Sequence, residues 1–172
     1  MPHTLVVGGS GMLAELCTAL AADGELVSVP ARGREKLLRL ASLVPAGNIH
    51  PLAADYRRPD EVEEILGVAV QSYGAITRTI CWAHEEQSAD APYLFARYTE
   101  HRFFHVLGSA AADPSNPKRL GRLRESFEAR FPALAYHTVV LGFRQDQGAA
   151  SRWLSNREIS QGVLAALSAS GK

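Results

Sequence analysis

The sequence predicts a doubly wound α/β domain, a mostly parallel six-stranded sheet of order 3-2-1-4-5-6 with helices on both faces. Three observations predict it. Short apolar runs alternate with segments of helical periodicity along the chain. The first run ends in a glycine-rich turn that opens a helix. Finally, right-handed crossovers between parallel strands make the doubly wound arrangement the economical topology.

In chain order, the first apolar run covers residues 4–7, and helical spacing follows over 12–22. The second run, 26–30, precedes a helix over 34–43. A third run at 49–54 leads to a helix over 60–73. There Pro59-Asp60 with Glu61, Glu63 and Glu64 sets acidic side chains at the positive end of the helix dipole. The fourth run, 77–83, is followed by helical spacing over 90–100. After the fifth, 103–108, Asp113-Pro114 and Asn116-Pro117 mark a loop, and a basic helix spans 118–130. The sixth, 136–143, leads to a helix over 156–167, opened by the capping-box pair Ser155 and Glu158. Residues 1–168 read as a single domain and 169–172 as a frayed tail.

With 172 residues, the chain is long enough for one domain with a sizeable core. Lys plus Arg is 18 and Asp plus Glu is 18, so net charge is zero. Neither nucleic acid nor an anionic membrane surface is an expected partner. Lys118, Arg119, Arg122, Arg124 and Arg130 read as a solvated helix face. Cys17 and Cys81 sit inside apolar runs, in no metal-like spacing, and read as core residues; no metal site is expected. No charged leader with a cleavage site is seen, and no apolar stretch is long enough to span a bilayer. The expected location is the cytoplasm.

The informative residues follow the first run: Gly8-Gly9-Ser10-Gly11-Met12-Leu13-Ala14. Gly9, Gly11 and Ala14 satisfy G-x-G-x-x-G/A, and Gly8, Gly11 and Ala14 satisfy the related G-x-x-G-x-x-A. The first glycines allow a tight turn, the next lets the backbone approach a pyrophosphate, and the small third residue lets helix pack on strand. Free N–H groups of a helix beginning near Met12 then face the phosphates.

The end of the second strand separates the two nicotinamide dinucleotides. An acidic residue there would bind a ribose 2′-hydroxyl, but the segment Val29-Pro30-Ala31-Arg32-Gly33-Arg34 has none. A guanidinium pairs with a 2′-phosphate, so Arg32, with Arg34 or Lys36 in support, points to NADP(H) over NAD(H).

On these residues the sequence resembles the short-chain dehydrogenase/reductase superfamily over nearly its whole length. The glycine loop is similar to that of the atypical members, and the stretch from Ala31 to Leu37 to the basic segment of NADP-preferring ones. The resemblance implies that Asp55, with Tyr56 beside it, contacts the adenine, that Ala83 borders the cofactor, and that Ser109 occupies the family's catalytic-serine position. It also allows a homodimer. Two departures stand out: Cys81-Trp82-Ala83-His84 replaces Asn-Asn-Ala-Gly after the fourth strand, and no Tyr-x-x-x-Lys follows Ser109.

Strand polarity filters the remaining candidates, because ligands bind outside the carboxyl ends of an open α/β sheet. His3, His50 and His137 fall at strand starts and His101 just before one, while His105 within the fifth strand reads as a satisfied core histidine. His84, Ser109 and Arg144 fall at the ligand end. His84 can donate a proton near neutral pH and Ser109 can hydrogen-bond an acceptor oxygen. The expected function is an NADP(H)-dependent oxidoreductase of atypical short-chain type, acting on a small carbonyl, quinone or flavin-like acceptor. A non-catalytic protein that senses dinucleotide redox state is the alternative.

Overall fold

The structure, a computed structural model, describes residues 1–44, 47–83, 89–145 and 151–170. Its main sheet holds six parallel strands in the order β3-β2-β1-β4-β5-β6, as the sequence predicts. These are β1 (His3–Val7), β2 (Leu26–Ala31), β3 (Ile49–Ala53), β4 (Ile76–Cys81), β5 (Thr99–Leu107) and β6 (Ala135–Val140). Central β1 is buried along its whole length, which is why its sequence is a continuous run rather than an alternation.

The strands divide their side chains between two cores. Val6, Val27, Val29, Ile80, Phe104 and Val106 face α1 (Ala14–Ala22), α2 (Arg34–Ser42) and α6 (Asn156–Ala169). Leu5, Val7, Cys81 and Phe103 face α3 (Pro59–Tyr73), α4 (Ala91–Ala96) and α5 (Arg119–Arg130). Each crossover returns the chain to a parallel strand, so the carboxyl ends of all six lie along one edge. Among the described residues no helix is long and apolar enough to cross a membrane.

Helix termini follow their signals. Pro59 opens α3 with Asp60 and Glu61 in its first turn, and Ser155 with Glu158 forms a complete capping box on α6. Cys17 and Cys81 are buried, and burial pushes both thiols far above their ordinary range.

Several boundaries differ from the sequence expectation. The helix expected from Met12 begins at Ala14, because Gly8 O accepts from both Gly11 N and Leu13 N and keeps those residues in a turn. The helix expected over 90–100 ends at Ala96. Thr99 already pairs with Ile76 there, its hydroxyl 2.6 Å from that of Thr79, and starts β5 early. The sixth run stops at Val140. Beyond it, β7 (Phe143–Arg144) pairs antiparallel with β8 (Arg152–Trp153) in a separate ribbon. The last helix, α6, runs through Ala169, and Ser170 N donates to Ala166 O.

Candidate functional site

The glycines after β1 do three different jobs. Gly8 has φ +87°, a conformation that side-chain-bearing residues rarely adopt, and turns the chain off the strand. Gly9 is a packing glycine: a Cβ there would stand 2.6 Å from Cys17 Sγ and 2.9 Å from Val29 Cγ1. Gly9 thus lets α1 sit tightly on β2, a role the motif alone gives to the third small residue. At Gly11 a Cβ would meet only Gly8 O, at 3.8 Å, so the backbone is open to a ligand. Gly8 O takes the Gly11 and Leu13 amides, and the N–H groups of Ser10 and Met12 keep no acceptor among the described residues. The unengaged amides here thus belong to the turn, since the helix begins at Ala14 rather than at Met12.

Beside this turn lies a groove of about 640 Å³, lined by Gly8, Ser10, Arg32, Arg34, Lys36 and Tyr56 among others. Arg32, Arg34 and Lys36 are exposed, and among the described residues none of them has a hydrogen-bonded or ionic side-chain partner. Tyr56 forms the far wall, its ring edge-on to Phe95 at 6.3 Å. Burial raises its hydroxyl above the usual range. Asp55 next to it is clamped by Arg57, whose Nε and Nη2 reach the carboxylate at 3.0 and 2.5 Å. Those bonds hold Asp55 at about 2. Gly8, Ser10, Arg32, Arg34 and Tyr56 thus converge on one groove, with Gly9, Gly11 and Met12 completing the turn above it and Asp55 flanking Tyr56.

A second cavity, about 360 Å³, opens at the carboxyl ends of β4 and β5. Ala83, Tyr93, His105, Arg119, Arg122 and Leu123 contribute to its lining. His105 is 5% exposed, and its Nδ1 lies 2.9 Å from Tyr136 Oη, so it is the satisfied core histidine the sequence suggests. Its ring also reaches the cavity, which the sequence did not indicate. Ser109 is half-buried and opens a 3-10 turn (Ser109–Ala112) directly after β5; among the described residues its hydroxyl has no hydrogen bond. Ala83 borders this cavity rather than the groove. His84 lies outside the described residues.

Sequence reasoning missed Trp82. Its backbone N–H donates to Val7 O at 3.1 Å. Its Cβ and Cδ1 would be 3.1 Å from a Cβ on Gly8, and its Cη2 3.9 Å from one on Gly108. The indole therefore reaches from the end of β1 to the end of β5. The available signal was an aromatic residue directly after the fourth strand, at the ligand end.

No family model matches the sequence, and no curated protein does. Solved structures do match. A metagenomic short-chain oxidoreductase in complex with NADP superposes with a TM-score of 0.75 at 19% identity, over 96% of this chain and 90% of that one. A β-ketoacyl-[ACP] reductase from Bacteroides thetaiotaomicron gives 0.73 at 16%, over 97% and 91%. A putative short-chain dehydrogenase/reductase family oxidoreductase from Aeromonas hydrophila gives 0.70 at 17%, over 98% and 91%. Two of these neighbours are short-chain oxidoreductases and the other a β-ketoacyl-[ACP] reductase, and at such identities the likeness shows that this chain has their Rossmann fold.

Proposed function

We propose that this chain is an NADP(H)-dependent oxidoreductase of atypical short-chain type, reducing a small carbonyl, quinone or flavin-like acceptor in the cytoplasm and able to work as a homodimer. One observation carries the reading: the turn whose backbone is open at Gly11 brings Gly8 and Ser10 to a groove that Arg32, Arg34 and Lys36 also line, beside Glu35, with no ion pair on these cations among the described residues. Such a set fits a phosphorylated dinucleotide, with turn amides for a pyrophosphate and guanidinium groups for a further phosphate. The NADP bound by one neighbour of the same fold supports it.

In this reading the amides of Ser10 and Met12 hold the pyrophosphate, and Gly8, Gly9 and Gly11 shape the turn that presents them. Arg32, with Arg34, pairs with the 2′-phosphate, giving the preference for NADP(H) over NAD(H). Asp55 and Tyr56 flank the adenine, and Ala83 leaves room beside the nicotinamide. When bound, the cofactor supplies the reducing equivalents as a hydride donor. The chain supplies polarisation and a proton: Ser109 Oγ donates a hydrogen bond to the acceptor oxygen, and His84 gives up the proton. With no Tyr-x-x-x-Lys after Ser109, activity depends on these groups and on orientation within the cleft.

The test is a titration of the Trp153→Phe variant, in which Trp82 is the remaining tryptophan, with NADPH and with NADH. Emission should change on binding, at lower concentration for NADPH. A screen of carbonyl, quinone and flavin acceptors follows. Turnover that falls in Ser109→Ala or His84→Ala, with binding intact, supports the enzyme. Binding without any turnover supports the sensor instead. Uptake of neither dinucleotide at millimolar concentration overturns both.

A further inference from the structure

The second cavity carries information on the acceptor itself. Its walls are apolar where Ala83, Pro92, Leu123 and the Tyr93 ring line it, while Arg119, Arg122 and His105 bring basic groups to the same space. Arg119 is tethered, its Nη1 donating to Ala110 O at 3.2 Å. Arg122 is exposed on α5, and among the described residues no hydrogen bond or ion pair engages its guanidinium. Both arginines sit in the first turn of a helix with no acidic residue there, so the helix dipole adds to their positive field instead of cancelling it. That arrangement costs stability unless an anion offsets it. The sequence reading of this helix as a plain solvated face does not account for two of its cations lining a cavity.

We infer that the acceptor is a small keto acid, its ketone taking the hydride and a proton, its apolar body against Leu123 and Tyr93 and its carboxylate paired with Arg122. A guanidinium meets a carboxylate through two parallel N–H···O bonds, which fixes orientation as well as charge. The cavity of about 360 Å³ is of a size for one small molecule. The inference rests on the dinucleotide reading only for calling the acid a substrate; the acid site itself stands on the cavity.

Phenylpyruvate and its neutral methyl ester are the probes, titrated by calorimetry into the free protein and into protein saturated with NADP⁺. The acid should bind at least one of these forms, and the ester about tenfold or more weakly, the scale of one lost charge-assisted contact. Arg122→Gln should bring the acid down to the level of the ester, and Arg122→Lys should restore part of the difference. Arg122 is exposed, so neither change threatens the fold. Equal affinity for acid and ester, unchanged acid affinity in Arg122→Gln, or no acid binding to either form overturns the inference. The NADP⁺ titration separates the two readings. Uptake of NADP⁺ without the acid sinks this inference alone, and uptake of the acid without NADP⁺ sinks the dinucleotide reading alone.

Discussion

Arg144 Nη1 on β7 lies 2.6 Å from Glu158 Oε1 in the first turn of α6. The same carboxylate takes Arg152 Nη1 and Nη2 from β8 at 2.8 and 2.9 Å, and the Ser155 amide at 2.8 Å. One side chain thus caps a helix and fastens the β7–β8 ribbon to it. These bonds, the Arg152 bond first, hold the Glu158 carboxyl well below the usual range. A depressed carboxylate contributes stability above its unfolded-state value, roughly 4.3, and loses it as pH falls toward the folded-state value. In Glu158→Gln, trypsin should cut faster at Arg144 and Arg152, and the stability gap from wild type should close as the solution is acidified. Unchanged cleavage, followed by mass spectrometry, would show the ribbon is held by something else.

Gly9 and Gly11, two positions apart, should answer the same substitution in opposite ways. Gly9→Ala drives a Cβ to 2.6 Å from Cys17 Sγ in a buried contact, an overpacking expected to cost about 1–3 kcal/mol. Gly11→Ala meets only Gly8 O at 3.8 Å and should leave urea stability unchanged. If the turn holds the pyrophosphate as proposed, it should nonetheless weaken NADPH binding, because the new methyl would project into the space open at Gly11. A stable Gly9→Ala protein, or a Gly11→Ala protein that binds NADPH normally, would contradict the division of roles.

The sheet order was legible because buried parallel strands read as apolar runs and their connections as periodic helices. The glycine turn was legible because its chemistry is local. What the sequence hid is set by contacts distant along the chain. Nothing near Gly9 announces Cys17 and Val29 as the atoms that require it. Helical spacing persists past Ala96, and the pairing of Thr99 with Ile76 overrides it. His105 reads as core from its strand and is core, yet the end of β5 leaves it beside Arg122, on a helix that begins twelve residues after the strand ends.

The amino ends of the strands carry a pH-dependent element. His3 is 1% exposed, with Nδ1 2.8 Å from Gly74 O and Nε2 2.8 Å from Ser28 Oγ. His50 stacks on Tyr73 at 3.7 Å, its Nε2 buried without a partner among the described residues. Burial lowers the pKa of both. A lowered histidine stays neutral in the fold while the unfolded chain takes up a proton near pH 6.5, so stability is full above roughly that pH and falls below it. Urea unfolding should therefore show stability declining from about pH 7.5 to pH 5.5. In His3→Gln the decline should be shallower; an identical slope would remove His3 from the account.

Arg32 decides the choice of dinucleotide if the groove works as proposed. It is exposed, lines the groove, and among the described residues makes no hydrogen bond or ion pair, although its field reaches the Asp55 carboxylate. A 2′-phosphate would gain charge-assisted hydrogen bonds there, each contributing about 1.5–3 kcal/mol. A 2′-hydroxyl would gain much less. Arg32→Ala should thus weaken NADPH about tenfold or more and barely change NADH. Arg32→Glu should go further, repelling the phosphate while offering the hydroxyl an acceptor, so NADH becomes the tighter ligand. Arg34 and Lys36 line the same groove and can take part of the load, which makes the ratio of the two dissociation constants the quantity to read. Equal losses for both dinucleotides would mean that Arg32 shapes the groove without reading the phosphate.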